Sequence, residues 1–381
     1  MQNRKFLFLR VNHYFSMSTD HHHLNDSALT VHQGVEQPPP VDTDSLQRFL
    51  NQKRKSLTSI EYLEGILTGN RTILSQAITL VESMLPEHAS LAQEIVERCL
   101  PHSGKSIRIG ITGIPGVGKS RFIEALGDIL TEKGHKPAVL AVDPSSELSK
   151  GSILGDKTRM EKLSTHPNAF IRPSPSSGSL GGVARKTRET VFLCEAAGFD
   201  VVIIETVGVG QSETAVHSMT DFFLLLQIAG AGDELQGVKR GIMEMADLIA
   251  VNKADGNNME KAQLALAQYR SALQLFPKPT SGWAPQAMTC SAITLHGIDA
   301  IWDTILQYEQ LTKNNGYFNR RRQQQAKYWM NETIRNSLVH HFFGNAEISA
   351  LLPEYEQKAA ENQISSFAAA HALLNKYFKN K

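Results

Sequence analysis

Residues Gly113-Ile114-Pro115-Gly116-Val117-Gly118-Lys119-Ser120 match G-x-x-x-x-G-K-[ST] at every fixed position. Glycine lets a backbone wrap closely around phosphate oxygens, so that successive N–H groups point inward. The run 107–112 before the loop is strand-like, and 121–130 after it has a helical pattern. The loop therefore opens a helix, whose N-terminus favours an anion. In that setting Lys119 pairs with the β- and γ-phosphates and Ser120 ligates Mg²⁺. Arg121, the next residue, joins the loop in the expected nucleotide-binding set.

Phosphoryl transfer needs a further carboxylate beside the metal. The apolar run 201–204 ends in Glu205, a Walker B placement with Glu in place of Asp. Gly208 follows, where its N–H can approach a γ-phosphate. Asp143, closing the run 138–142, and Asp156 are further candidates for the Mg²⁺ shell or for holding the attacking water. Each also reads as a turn Asp capping backbone. Asn252-Lys253-Ala254-Asp255 follows the run 248–251 and matches N-K-x-D. The Asp255 carboxylate can accept from both N1–H and the exocyclic amine of guanine. Adenine offers no such pair of donors, and an unpaired buried carboxylate is costly. Asn252 and Lys253 are expected to brace this loop and pack on the ring. Ser291, Ala292 and Ile293 follow the run 287–290 and are expected to bring a backbone N–H to the guanine O6.

These residues need elements to hold them. Strand-like runs at 107–112, 138–142, 201–204, 222–228, 248–251 and 287–290 alternate with helical patterns such as 259–275. Such alternation implies an α/β fold, a three-layer sandwich whose mainly parallel sheet is covered on both faces. Upstream, Leu63, Ile66, Ile73, Ile78, Leu80 and Leu85 recur at roughly helical spacing, with Gly69-Asn70 as a break. Downstream, Met330, Ile334, Leu338 and Phe342 repeat every fourth position, and Phe367, Leu374 and Phe378 mark another helix. That stripe reads as core or dimer interface. Arg320-Arg321-Arg322 reads as a solvated basic helix start or as a grip on an acidic partner. The expected organisation is an N-terminal extension (1–43), a helical segment (44–104), a P-loop domain (105–311) and a helical C-terminal dimerisation arm (312–381).

The chain has 381 residues, 39 Lys+Arg, 38 Asp+Glu, a net charge of +1 and 41% hydrophobic residues. That supports a sizeable core and argues against electrostatically driven nucleic-acid binding. No run reaches the roughly 18 apolar residues of a membrane helix. Cys99, Cys194 and Cys290 are far apart and lack CxxC spacing, which argues against a disulfide scaffold or zinc site and for a reducing compartment. Residues 1–19 hold Arg4, Lys5 and Arg10 and no acid. They read as a transit peptide or, preferred for their shortness, as sequence upstream of a start at Met17. A bacterial cytoplasm is expected, or the mitochondrial matrix if 1–16 act in transit. His21 to His23 read as a polar terminal tract, and Pro38 to Pro40 as a linker.

Several longer blocks resemble one family. They are Ile78-Thr79-Leu80-Val81-Glu82-Ser83, Val142-Asp143-Pro144-Ser145-Ser146, Gly151-Ser152-Ile153-Leu154-Gly155-Asp156-Lys157-Thr158-Arg159-Met160, Gly181-Gly182-Val183-Ala184-Arg185 and Glu205-Thr206-Val207-Gly208-Val209-Gly210-Gln211-Ser212-Glu213. With the two nucleotide motifs they look like the MeaB/ArgK-type methylmalonyl-CoA mutase-associated GTPases, over about 69–291. The resemblance implies a SIMIBI-class P-loop NTPase fold, GTP hydrolysis with Mg²⁺ and a homodimer joined through C-terminal helices. It implies as partners an adenosylcobalamin-dependent acyl-CoA mutase, most often methylmalonyl-CoA mutase, and a cobalamin adenosyltransferase. The GTPase would gate cofactor delivery and protect or reactivate the mutase.

On that resemblance Asp143, Asp156 and Glu205 fall at the acidic positions around Mg²⁺. The run 229–239, with Asp233, Gln236 and Lys239, matches a mobile switch coupling the mutase to hydrolysis. Glu147-Leu148-Ser149-Lys150 departs from the family's small Thr/Gly-rich turn. Val209 and Gly210 separate Gly208 from Gln211, so no Ras-like Gln directly follows the glycine. Slow intrinsic turnover, accelerated by the mutase, is therefore expected. Two other readings stand beside this one. A metallochaperone GTPase for nickel or another metal would want a His or Cys cluster. An ATP-dependent kinase serving amino-acid transport conflicts with Asp255 and lacks a kinase catalytic-loop signature.

Overall fold

The computed structural model describes residues 57–142, 160–174, 180–206, 212–230 and 240–379. The expectations placed on residues 1–56, Asp143, 147–150, Asp156, Gly208, Gln211, Asp233, Gln236 and Lys239 lie outside the described residues.

Helices α1 (Ser59–Leu67), α2 (Arg71–Glu82) and α3 (Pro86–Cys99) come first. Thr58 and Glu61 form a capping box on α1. Gly69 then takes φ +73°, and the Asn70 side chain accepts from Thr72 and Ile73 N–H to start α2. The remaining elements are β1 (Ile107–Gly113), α4 (Lys119–Glu132), β2 (Pro137–Val142), α5 (Glu161–Thr165), β3 (Phe170–Ser174), α6 (Leu180–Ala196), β4 (Val201–Thr206), α7 (Ser212–His217) and β5 (Phe222–Ile228). They continue with α8 (Arg240–Met245), β6 (Leu248–Asn252), α9 (Met259–Leu273), β7 (Gln286–Thr289), α10 (Ile298–Asn314), α11 (Tyr317–Phe343), α12 (Ala346–Ala360) and α13 (Ser366–Lys379).

Among the described residues the sheet has seven strands in the order β3-β2-β4-β1-β5-β6-β7, and each neighbouring pair is parallel. The central strands β1, β4 and β5 are buried along nearly their whole length, as strands covered on both faces must be. Alternation divides them between two cores. Ile109, Ile111, Val201 and Ile203 pack with Phe122 and Leu126 of α4 and with Trp302 and Tyr308 of α10. Val202, Ile204 and Phe223 face the opposite layer, built from α1, α2, α3, α6 and α7.

Strand β3 escapes the sequence pattern. It is a short edge strand pairing with β2, and Pro173 is tolerated there because an edge need not donate along both sides. Its Arg172 leaves the sheet to pair with Glu82 and to donate to Thr79 Oγ1 at 3.2 Å.

The three arginines of α11 correct both readings given to them. Arg322 is a fork on a carboxylate of its own chain: it donates to Asp221 Oδ1 at 2.8 Å and Oδ2 at 2.6 Å, and to the Gly104 and Ser106 carbonyls at 2.6 Å each. Arg321 donates to Thr220 O at 3.2 Å and to His217 Nε2 at 3.0 Å. Burial and the Arg321 charge lower the His217 pKa to about 3, so the ring stays neutral, with its proton on Nδ1. Gln325 and Trp329 extend the same face, donating to Thr220 O at 2.8 Å and Ser218 O at 3.2 Å. Only Arg320 is exposed. The acidic partner lies about a hundred residues upstream, which local charge patterning does not reveal.

The apolar stripe is also corrected in part. Met330, Ile334 and Leu338 are 58%, 50% and 56% exposed, so they are not core of this chain. Phe342 is partly buried against Tyr377, their ring centroids 5.2 Å apart.

Asp221 is buried and also accepts from the Arg108 N–H at 2.9 Å. Arg322→Met should leave this carboxylate buried without its counter-charge and cost about 3–5 kcal/mol, read from urea denaturation. A loss below about 1 kcal/mol would mean that the pair behaves as a surface salt bridge.

Candidate nucleotide site

The site forms along the carboxyl edge of the sheet. Strand β1 ends in Gly113, and a Cβ there would lie 2.5 Å from the Leu226 carbonyl of β5. The loop turns through Gly116 and Gly118, both at positive φ (+81° and +93°), into α4. A Cβ on Gly118 would lie 3.1 Å from Asn252 Nδ2. The first and last glycines are thus required by close approach as well as by backbone conformation.

Lys119 is buried, and its ammonium donates to Gly113 O at 2.8 Å and Ile114 O at 3.3 Å. Burial lowers its pKa, and the carboxylates of Glu205 and Glu213 act in the opposite sense. Ser120 sits in the first turn of α4 and donates to Glu205 Oε1 at 3.4 Å. Glu205 is buried near the end of β4, where Thr206 Oγ1 donates to Thr112 Oγ1 of β1 at 2.8 Å. A hydroxyl beside a carboxylate at the mouth of a glycine loop is a hard-oxygen donor set that suits Mg²⁺. Arg121 faces elsewhere: it pairs with Glu124 at 2.6 Å, its side chain mostly exposed.

The N-K-x-D loop is joined to the phosphate loop. Asn252 is buried and donates from Nδ2 to Val117 O at 2.9 Å. Its Oδ1 accepts from Ala292 N at 3.3 Å. Lys253 takes φ +59° and donates to Gly116 O at 2.8 Å. Asp255 accepts from the Ser291 hydroxyl, which in turn accepts from the N–H groups of Ile293 and Thr294 at 3.3 and 3.1 Å. The Ile293 side chain is exposed. The structure therefore brings together Gly113, Gly116, Val117, Gly118, Lys119, Ser120, Glu205, Asn252, Lys253, Asp255, Ser291 and Ala292. Asp143, Asp156, Gln236 and Lys239 lie outside the described residues.

One residue of this neighbourhood has no role in the sequence reading beyond its place in a motif block. Glu213 of α7 is 3% exposed, and its Oε2 has no hydrogen-bond partner among the described residues. Its spacing to Val216, three residues on, puts both on one helix face, which is the signal available in the sequence.

Asp255→Asn exchanges an acceptor for a donor. Guanine's two donors then meet one acceptor, whereas xanthine, with a carbonyl in place of the amine, finds a match. Competition against a fluorescent nucleotide should show GDP weakened by about 10- to 100-fold and the xanthine diphosphate overtaking it. Equal weakening of both would remove Asp255 from base reading.

A family model described as methylmalonyl Co-A mutase-associated GTPase MeaB matches residues 74–347. A probable GTPase of Mycobacterium tuberculosis is 49% identical over 316 residues, spanning 82% of this chain and 94% of that protein. The mitochondrial methylmalonic aciduria type A homolog of Mus musculus is 46% identical over 349 residues, spanning 89% and 82%. A crystal structure described as LAO/AO transport system kinase shares the fold with a TM-score of 0.68 and 38% identity, over 85% of this chain and 100% of that one. The family match takes in the phosphate loop, Glu205 and the N-K-x-D loop together. This chain belongs to the methylmalonyl-CoA mutase-associated GTPase family and is a P-loop enzyme that binds guanine nucleotide and hydrolyses GTP.

Proposed function

We propose that this GTPase is a chaperone of an adenosylcobalamin-dependent acyl-CoA mutase, methylmalonyl-CoA mutase in the first place. It would gate cofactor delivery by an adenosyltransferase and protect or reactivate the mutase. The observation that carries this reading is the match of residues 74–347 to a family described by that association. The 46% identity to a methylmalonic aciduria type A homolog supports it.

The chemistry follows from the site's own residues. Asp255 reads guanine, Asn252 and Lys253 hold its loop against the phosphate loop, and Ser291 to Ile293 close the base side. Lys119 offsets charge on the β- and γ-phosphate oxygens. Ser120 and Glu205 would hold Mg²⁺, joined by Asp143 and Asp156 on the strength of the resemblance. When bound, the ion supplies Lewis-acid stabilisation of charge on the phosphate oxygens. Carboxylates beside the γ-phosphate position water for in-line attack. Gln236 and Lys239 are assigned to the switch that answers the mutase, again by resemblance.

We divide the chain into an extension (1–43), a helical segment (44–104), the P-loop domain (105–311) and a C-terminal dimerisation arm (312–381). The arm carries exposed Met330, Ile334, Leu338, Val339 and Phe343 on α11, and exposed Phe367 and Phe378 on α13. This unpartnered apolar surface supports a homodimer. No described helix is long and apolar enough to cross a membrane. We assign the protein to a bacterial cytoplasm, with the mitochondrial matrix as the alternative if 1–16 serve in transit.

Two measurements test this reading. GTP and ATP turnover should be assayed with and without purified methylmalonyl-CoA mutase. Slow, GTP-selective hydrolysis that rises with mutase is expected; a rate indifferent to the mutase would point to another client, and ATP preference would revive the kinase reading. Sedimentation should give twice the 42.1 kDa chain mass, shifting toward the monomer in Leu338→Lys. A wild-type monomer at micromolar concentration would refute the arm's role.

A further inference from the structure

We propose that Glu213 is a further positioning residue of the GTPase, its buried carboxylate accepting a hydrogen bond from a water held at the phosphates. The inference rests on the nucleotide-site assignment above and adds a residue to it.

The fold fixes where Glu213 stands. Helix α7 is the next described element after β4 and runs back across β1. Asp221, beyond its end, is level with the start of β1: its N–H donates to Arg108 O at 2.8 Å, and its carboxylate accepts from Arg108 N. Val216 is level with the middle of β1, 3.0 Å from where a Cβ on Gly110 would stand. Glu213 lies one turn further toward the helix start, on the same face as Val216. That places it beside the end of β1, where the phosphate loop begins.

The chemistry of the position is unusual for a structural acid. Glu213 is 3% exposed, and Oε2 has no partner among the described residues. Burying a carboxylate oxygen without a donor is unfavourable, and native proteins rarely leave one so. The nearby cation does not saturate it. The Lys119 ammonium feels the Glu213 charge, but its described hydrogen bonds go to the Gly113 and Ile114 carbonyls. A carboxylate repels phosphate oxygens, so the missing donor is not the polyphosphate itself. Water fits: it donates to the carboxylate while serving the phosphates. Two waters share that chemistry, one bound to the metal and one attacking the γ-phosphate.

The full-length protein tests this. Wild type is measured first for GDP over ADP binding and for GTP turnover; failure there would sink the site assignment itself. Given those, Glu213→Gln should lower kcat for GTP by about 10- to 100-fold with KM little changed. The nucleotide-free variant should melt at the same temperature as wild type or higher, since an unsatisfied buried charge has gone. Titrating Mg²⁺ against retention of a fluorescent GDP separates the sources. A rightward shift in the variant identifies the metal-bound water; an unshifted titration with reduced kcat identifies the attacking one. Turnover within about twofold of wild type would overturn the proposal. So would a lowered melting temperature with parallel loss of GDP binding, because that is the mark of a structural acid.

Discussion

Two hydrogen bonds hold the site together: Asn252 Nδ2 to Val117 O and Lys253 Nζ to Gly116 O. The phosphate loop leaves β1 and the N-K-x-D loop, the proposed base reader, leaves β6, with β5 between them. Strand spacing alone sets their origins about 10 Å apart. On the function proposed above a nucleotide would touch both at once, so their separation must be fixed before binding if affinity is not to be spent on ordering. Side chains reaching across from the base reader supply that constraint. Lys253 adopts a left-handed backbone, which costs a non-glycine residue roughly 1–2 kcal/mol, and its side-chain bond to Gly116 helps to hold it there. Gly118 lies so close to Asn252 that the clamp and the glycine requirement are one feature.

Behind the site, buried ion pairs fix where elements begin. Glu195 of α6 accepts from Gly104 N, the Ser106 hydroxyl and the Arg108 guanidinium, and Asp221 accepts from Arg108 N and Arg322. Such pairs contribute little net stability against apolar alternatives, but once buried they penalise any other arrangement. They settle the start of β1, and through it the level at which the phosphate loop emerges. The segment 217–221 is also gripped by Arg321, Arg322, Gln325 and Trp329. The helix that carries Glu213 therefore ends in a segment that α11 holds in place.

Much of this was legible in the chain. The phosphate loop and N-K-x-D are short and local, and their chemistry tolerates few substitutions at fixed spacing. Strands β4 and β5 announce themselves as apolar runs, Val201 to Ile204 and Phe222 to Leu226, because both faces are covered. What was hidden depends on long-range contact. Strand β3 holds Arg172 and Pro173, which break the apolar pattern that marks the other strands, and it is defined by its pairing with β2. Arg321 and Arg322 looked like a solvated basic cluster because Asp221 and His217 are brought to them only by the fold. Met330, Ile334 and Leu338 had the right period for a helix, but period does not say whether a face is covered by the same chain. Glu213 shares a helix face with Val216 by spacing, but only the fold buries that face.

The clamp between the two loops is the claim on which the account rests, and amide hydrogen exchange tests it most directly. In nucleotide-free Asn252→Ala, exchange should accelerate across 113–118 as well as around 252–258, because the phosphate loop has lost its brace. Acceleration confined to 252–258, with 113–118 as protected as in wild type, would show that the phosphate loop is ordered without the base reader and would contradict the account.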